Sequence, residues 1–320
     1  MKKISIIIFI LSAITFNSQA KIWRVSNVSG VVADFTTAQL AHNGAAAGDT
    51  IHLEPSPTSY GALTTSKRLV WLSTGNFIAW HAGLQYSTNL GSVDYLAVNA
   101  GSQNSVFSCN ADYVNCYAAN VTFQRCYISS NYLNINSGGN NCVVTGCYIN
   151  GYMGVNNSSN VVISNNIIRN FITVPSGSSA IITNNVINSG NSSASSIYNS
   201  LLQNNIFNQA TNNYTFITCV LNNNMANNNT LPNSNGNLNN VVMSTVFTTF
   251  NGNVDTDLTL KVGSPAIGAG YGGVDMGAFG GSSPFVVALQ PAIPAIYQLT
   301  APAAPSGNTM NVTFSTKSNN

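Results

Sequence analysis

This chain has very little charge. Its 320 residues hold 10 Lys plus Arg and 8 Asp plus Glu, only 6% charged. From Asp112 to Asp255 no acidic residue intervenes, and the only basic residues in that stretch are Arg125 and Arg169. Lys2 and Lys3 account for the formal excess of +2, so the rest of the chain is balanced at 8 against 8. A chain so sparsely charged carries no electrostatic footprint for nucleic acid or an anionic membrane. Glycoside hydrolysis by paired carboxylates is excluded from the middle of the chain, because the carboxylates are not there. Histidine is also scarce: His42, His52 and His81 are scattered over the N-terminal part and form no pattern with a nucleophile. The six cysteines contain no CxxC pair, so no metal site and no cofactor is expected. Beyond residue 20 no apolar run approaches the length of a membrane span.

What the chain has is a phrase repeated about every twenty residues. It reads NVTFQRCYI from Asn120, NCVVTGCYI from Asn141 and NVVISNNII from Asn160. It continues as SAIITNNVI from Ser179, NSLLQNNIF from Asn199 and TCVLNNNMA from Thr218. A constant period of this size, too short to contain a helix, describes one coil of chain stacked on the next. The fourth position (Phe123, Val144, Ile163, Ile182, Leu202, Leu221) and the ninth (Ile128, Ile149, Ile168, Ile187, Phe207, Ala226) are apolar and predict a shared core. The second position has the parity of the fourth, so a short strand precedes a bend at the polar sixth and seventh positions.

The seventh position holds Cys126, Cys147, Asn166, Asn185, Asn205 and Asn224. Carboxamides in register both donate and accept, so four successive Asn predict a structural ladder at the bend, with Cys in the same small slot of two earlier coils. Cys126 and Cys147 sit one strand spacing apart, ~4.8 Å. Parallel side chains at that spacing hold the Cβ atoms slightly too far apart for a disulfide, which favours buried thiols.

These columns resemble the right-handed parallel β-helix of the pectate-lyase type, an all-β solenoid with an internal asparagine ladder. Upstream fragments (LVWL, FIAW, DYLAV, SVFS and DYVN) read as less regular coils, extending the solenoid from about Thr50 to about Ala278. A short capping helix is expected over Asp34–Ala41, ending at Asn43-Gly44 and leading into a strand at Gly48–Leu53. The pair SPAIGAG (from Ser264) and VDMGAF (from Val274) resembles the closing motif of secreted bacterial β-helix proteins called choice-of-anchor proteins. Gly268 and Gly280 stand where that motif usually has Asp and Glu, so the segment reads as a turn-rich closing coil rather than an ion site.

The expected organisation is a leader over 1–20, with a basic start, an apolar core and a small-residue end, then a β-helix with its N-terminal cap over 21–283. Residues 284–320 hold five of the ten prolines and form a linker followed by a strand around Met310–Ser315, which either packs back or serves as a sorting tail. Export and a secreted or outer-surface location follow from the leader reading.

The resemblance to lyases raises the question of activity. No catalytic residue is assigned. The leading expectation is an exported, non-catalytic surface protein, structural, adhesive or carbohydrate-binding, whose partner is an extracellular polysaccharide or cell-surface component. The alternative is a divergent uronate lyase using Arg125 or Arg169, assisted by Tyr127, Tyr148 or Tyr152. Asp94 and Asp112, 18 residues apart, are the alternative cation ligands, stacking beside Arg125 if one coil separates them. Tyr127 and Tyr148 are expected to stack as a sugar platform. The third position (Thr122, Val143, Val162, Ile181, Leu201, Val220) and the eighth (Tyr127, Tyr148, Ile167, Val186, Ile206, Met225) face outward by parity yet are mostly apolar. That predicts a covering partner, either the Pro-rich tail, a second protomer or a surface, unless a bend turns them inward.

Overall fold

Two positions of the repeat turn the chain by taking positive φ, the first in five of the six repeats and the sixth in all of them. They are the first (Asn120, Asn141, Asn160, Asn199, Thr218) and the sixth (Arg125, Gly146, Asn165, Asn184, Asn204, Asn223), with φ from 47° at Asn199 to 62° at Gly146. Asn and Gly enter this left-handed region at least cost. Short strands between these bends pair only in parallel, coil upon coil, giving an all-β parallel β-helix. The computed structural model describes residues 20–317 apart from 82, 191–193, 212–213 and 251–254. The expected leader therefore lies almost wholly outside the described residues.

The first sheet is 10-stranded and runs from Ile22–Val25 to Val220–Asn222. The second sheet begins at Leu63–Thr65 and ends at Met225–Ala226. Some of its strands are long enough to pass a bend, such as Tyr127–Ile135, and so contribute to a third face. That face continues through Tyr152–Val155, Ile172–Thr173, Ser195–Tyr198 and Tyr214–Ile217. The fourth and ninth columns fill the interior, and Phe123 stacks on Phe107 at 5.3 Å between ring centroids. A helix, α1 (Ala38–Gly44), covers the first coils. Thr37 caps it by accepting the Leu40 N–H at 3.2 Å.

The ladder at the seventh column is present. Each backbone N–H donates to the side chain below: Asn166 to Asn185 Oδ1 (3.0 Å), Asn185 to Asn205 Oδ1 (2.9 Å) and Asn205 to Asn224 Oδ1 (3.0 Å). Each Nδ2 also donates to the fourth-position carbonyl one coil back, as Asn205 does to Ile182 at 2.7 Å. The thiols fill the same role. Cys147 Sγ takes the Cys126 N–H at 3.4 Å and reaches the Phe123 carbonyl at 3.5 Å. All six cysteines are free. Asn237 extends the ladder by one step, accepting the Asn224 N–H at 3.0 Å. It arrives after only 13 residues, a short coil that the twenty-residue period conceals.

Two expectations are corrected. The FIAW fragment is not a strand: Ile78–Trp80 is a 3-10 turn preceded by Phe77 at φ 58°. The regular coils also stop well short of Ala278, their last strand being Met225–Ala226. The chain instead turns back and runs lengthwise over the second sheet as a strap. Met243, Val246, Phe247, Leu258, Ala266, Met276, Ala278, Phe285 and Leu289 pack there against Tyr148, Ile167, Val186, Ile206 and Met225. The apolar eighth column therefore does face outward, and its partner is this chain. Side chains of the sixth column grip the strap in order. Asn223 Nδ2 donates to Ala269 O (3.1 Å), Asn184 to Asp275 O (3.2 Å) and Asn165 to Gly280 O (2.7 Å). The motif expected to close the end of the solenoid thus lies along its side. Gly280 departs from the motif for a steric reason: a Cβ there would stand 1.9 Å from the Asp275 carbonyl. The strand over Thr313–Lys317 pairs antiparallel with Ala295–Thr300, and Ile296 O accepts the Tyr86 N–H at 2.8 Å.

Candidate functional site

The outward side of the third face carries a row of aromatic rings. Tyr95 pairs in register with Tyr113, Tyr113 with Tyr132 and Tyr132 with Tyr152. Phe171 continues the row one coil further. These residues precede the inward Leu96, Val114, Leu133, Met153 and Ile172, so strand alternation puts the four tyrosines outside, while Phe171 also packs against the core. All five are partly buried, with neither full exposure nor full cover. Ring centroids lie 5.5 Å apart for Tyr113–Tyr132, 5.6 Å for Tyr132–Tyr152 and 5.2 Å for Tyr152–Phe171. The first two pairs are tilted by 59° and 38°, which leaves ring surface open, whereas Tyr152 and Phe171 are parallel within 6° and cover each other.

Beside the rings runs a column of amides and small residues: Thr64, Ala97, Asn115, Asn134, Gly154 and Thr173. Asn115 Nδ2 donates to the Tyr95 hydroxyl at 3.1 Å and lies 3.3 Å from that of Tyr132. The rings from the coils above and below are thus drawn across the sheet toward one amide, which fixes their orientation. Asn136 Nδ2 donates to Asn115 Oδ1 at 2.9 Å, and Asn156 Nδ2 to Asn136 Oδ1 at 3.1 Å. This outer amide chain is separate from the buried ladder. Gly154 is required by its neighbour, since a Cβ would meet Asn134 Oδ1 at 2.2 Å.

Asp94 and Asp112 border this face. Val93 pairs with Ala111 and Tyr95 with Tyr113, which places Asp94 and Asp112 at matching backbone positions of adjacent coils. Asp112 Oδ1 accepts from Ser129 Oγ. Arg125 is not their neighbour: its Nη1 donates to the Gln290 carbonyl at 2.9 Å and fastens the strap. Among the described residues, no three His, Cys, Asp or Glu side chains gather where they could hold a metal ion.

Arg125 lines a cleft of about 460 Å³ between Thr145, Gly146 and residues 282–286 of the strap. Burial lowers its pKa from the ordinary guanidinium value. Arg169 lines a different cleft, of about 400 Å³, with Asn188, Asn208, Gln209 and Phe250. The structure does not bring the two arginines into one site. Nor do Tyr127 and Tyr148 form an open platform, although their rings are 5.7 Å apart. Phe77 sits edge-on over both, at 5.3 and 4.9 Å, and Tyr148 is only 1% exposed. Burial pushes the Tyr148 phenol up to about 12. These two tyrosines belong to the strap interface, because they stand in the eighth column that the strap covers.

The rings that do face out were legible in principle. Tyr95, Tyr113, Tyr132, Tyr152 and Phe171 are spaced 18, 19, 20 and 19 residues apart, a second register of the same repeat. It falls outside the nine-residue phrase, in the segment where the repeat is least regular. No family model, curated protein or solved structure matches the chain.

Proposed function

We propose that this is an exported, non-catalytic β-helix protein that binds carbohydrate at the cell surface or outside the cell. A parallel β-helix is consistent with a structural or carbohydrate-binding role, and the aromatic row on the third face carries the finer reading. Tyrosine rings offer apolar surface to the C–H faces of sugars, and their hydroxyls and the neighbouring amides offer donors and acceptors. Asn115 holds two of the rings in place before any ligand arrives, which lowers the ordering cost of binding.

The uronate-lyase alternative rests on Arg125 or Arg169. Arg125 is engaged with the strap, and the two guanidinium groups line different clefts. No shared geometry favours that alternative.

A glycan array probed with the mature chain tests the proposal. Retention of polysaccharide is expected, with loss in the double variant Tyr132→Ala/Tyr152→Ala. Retention of no glycan, or release of ultraviolet-absorbing unsaturated products from polyuronates that disappears in Arg169→Ala, would replace the proposal.

A further inference from the structure

Resting on the carbohydrate-binding reading, we propose that the ligand is a neutral, ribbon-like glycan lying parallel to the β-helix axis, one sugar ring to each coil. From Tyr113 to Phe171 neighbouring ring centroids lie 5.2 to 5.6 Å apart, one ring on each successive coil. Successive coils are ~4.8 Å apart, a step comparable to one pyranose ring with its linking oxygen in an extended, equatorially linked chain. The protein and such a chain therefore share a period over several units. A glycan that coils would leave the row after one or two contacts.

Lateral placement is also constrained. On one flank of Tyr95 and Tyr113 stand Asp94 and Asp112, and on the other flank of Tyr113, Tyr132 and Tyr152 run the amides of Asn115, Asn136 and Asn156. A ligand across the sheet would pass from carboxylates to amides within one coil, meeting a single ring. A ligand along the axis meets Tyr95, Tyr113, Tyr132 and Tyr152 in turn, with the amide chain beside it from Tyr113 onward. The tilted pairs Tyr113–Tyr132 and Tyr132–Tyr152 are where sugar faces find open ring surface; the parallel Tyr152–Phe171 pair offers only edges.

Charge selects the class. Asp94 is exposed and Asp112 half-buried, and both accept hydrogen bonds from sugar hydroxyls. They repel a carboxylate brought to the adjacent rings. Two like charges within a Debye length, about 10 Å at 0.1 M salt, weaken a uronate by about fivefold at low ionic strength. The site is thus set against acidic polysaccharides, the ligands that many β-helix enzymes handle.

Titration calorimetry of the full mature chain with β-1,4-linked gluco-oligosaccharides of two to seven units, and with matched oligouronates, tests this. Affinity is expected to rise with length to four or five units and then level off. Tyr132→Ala should weaken the longest oligomer by about tenfold, while Tyr271→Ala, on the exposed strap, leaves it unchanged. Oligouronates should bind about fivefold more weakly than their neutral counterparts, with the gap closed in Asp94→Asn/Asp112→Asn. Levelling off at two units, or equal binding of neutral and acidic oligomers by the parent chain, overturns the axial neutral-glycan assignment. Either result leaves carbohydrate binding itself standing. An array on which no glycan of any class is retained is the separate outcome that removes the functional reading beneath it.

Discussion

At the scale of single residues, asparagine does two different jobs at neighbouring positions. The sixth-column Asn supplies positive φ and turns its side chain outward to the strap, whereas the seventh-column Asn turns inward and carries the ladder. The ladder was legible because its chemistry requires amides in register; the division of labour was not, because both positions accept the same residue. Asn205 shows what the inner role is worth. Its Oδ1 takes the Asn185 N–H and its Nδ2 serves the Ile182 carbonyl, all fully buried. Asn205→Leu strands both groups and should cost about 3 kcal/mol in urea denaturation. Asn205→Cys should cost distinctly less, since thiols make these contacts at Cys126 and Cys147. Equal losses would show that the slot tolerates no substitute. His42 gives a pH dependence at the same scale. Its Nε2 accepts the Ser66 N–H at 3.0 Å, and its pKa is lowered mainly by burial, with Asn43 opposing and Lys67 adding. The unfolded chain, titrating near 6.5, therefore takes up the proton first. The stability involved is complete above that value and is lost as pH falls through the lower folded value. The urea midpoint should drop between about pH 7.5 and about pH 5, and His42→Gln should flatten the slope.

At the scale of elements, the repeat revealed the coils but not the strap. Alternation and period identified the inward columns of the nine-residue phrase from Asn120 to Ala226, because a stacked coil imposes them, but not the inward residues of the third face such as Leu133, Met153 and Ile172. Residues 241–290 have no period of their own, since the described part of the strap runs across successive coils rather than round them, and so they read as further irregular coils. The outward apolar third and eighth columns were the sequence's sign of a cover, and the strap covers the eighth. The third column has no comparable cover: Ile181 and Val220 are 42% and 54% exposed. Phe247 anchors the strap and is 1% exposed in its apolar layer. Phe247→Ala should destabilise the chain by about 3–5 kcal/mol and raise binding of a hydrophobic dye. The aromatic row, on a different face, should keep its glycan affinity in that variant under native conditions. Loss of both together would mean that the third face depends on the strap for its shape.

At the scale of the whole molecule, the strap changes how the coils share stability. A bare solenoid interacts only between neighbours, so its ends fray and its unfolding can proceed coil by coil. Here one segment is fastened at Asn223, Asn204, Asn184 and Asn165 and reaches Arg125 at Gln290, binding distant coils to the same piece of chain. That long-range tie should make unfolding a single transition. Trp23 and Trp71 lie in the N-terminal coils and Trp80 in the turn that follows them, so their fluorescence reports one end while far-ultraviolet dichroism reports the whole. In the parent chain the two signals should coincide across a urea titration. Asn184→Gly/Asn204→Gly keeps the positive φ but removes two of the strap's fastenings, each worth about 1 kcal/mol. In that variant dichroism should begin to fall at lower urea than fluorescence, because the later coils are released while the capped N-terminal coils persist. If the two traces still coincide, the stacked coils and their ladder alone carry the cooperativity, and the strap is a passive cover of the eighth column.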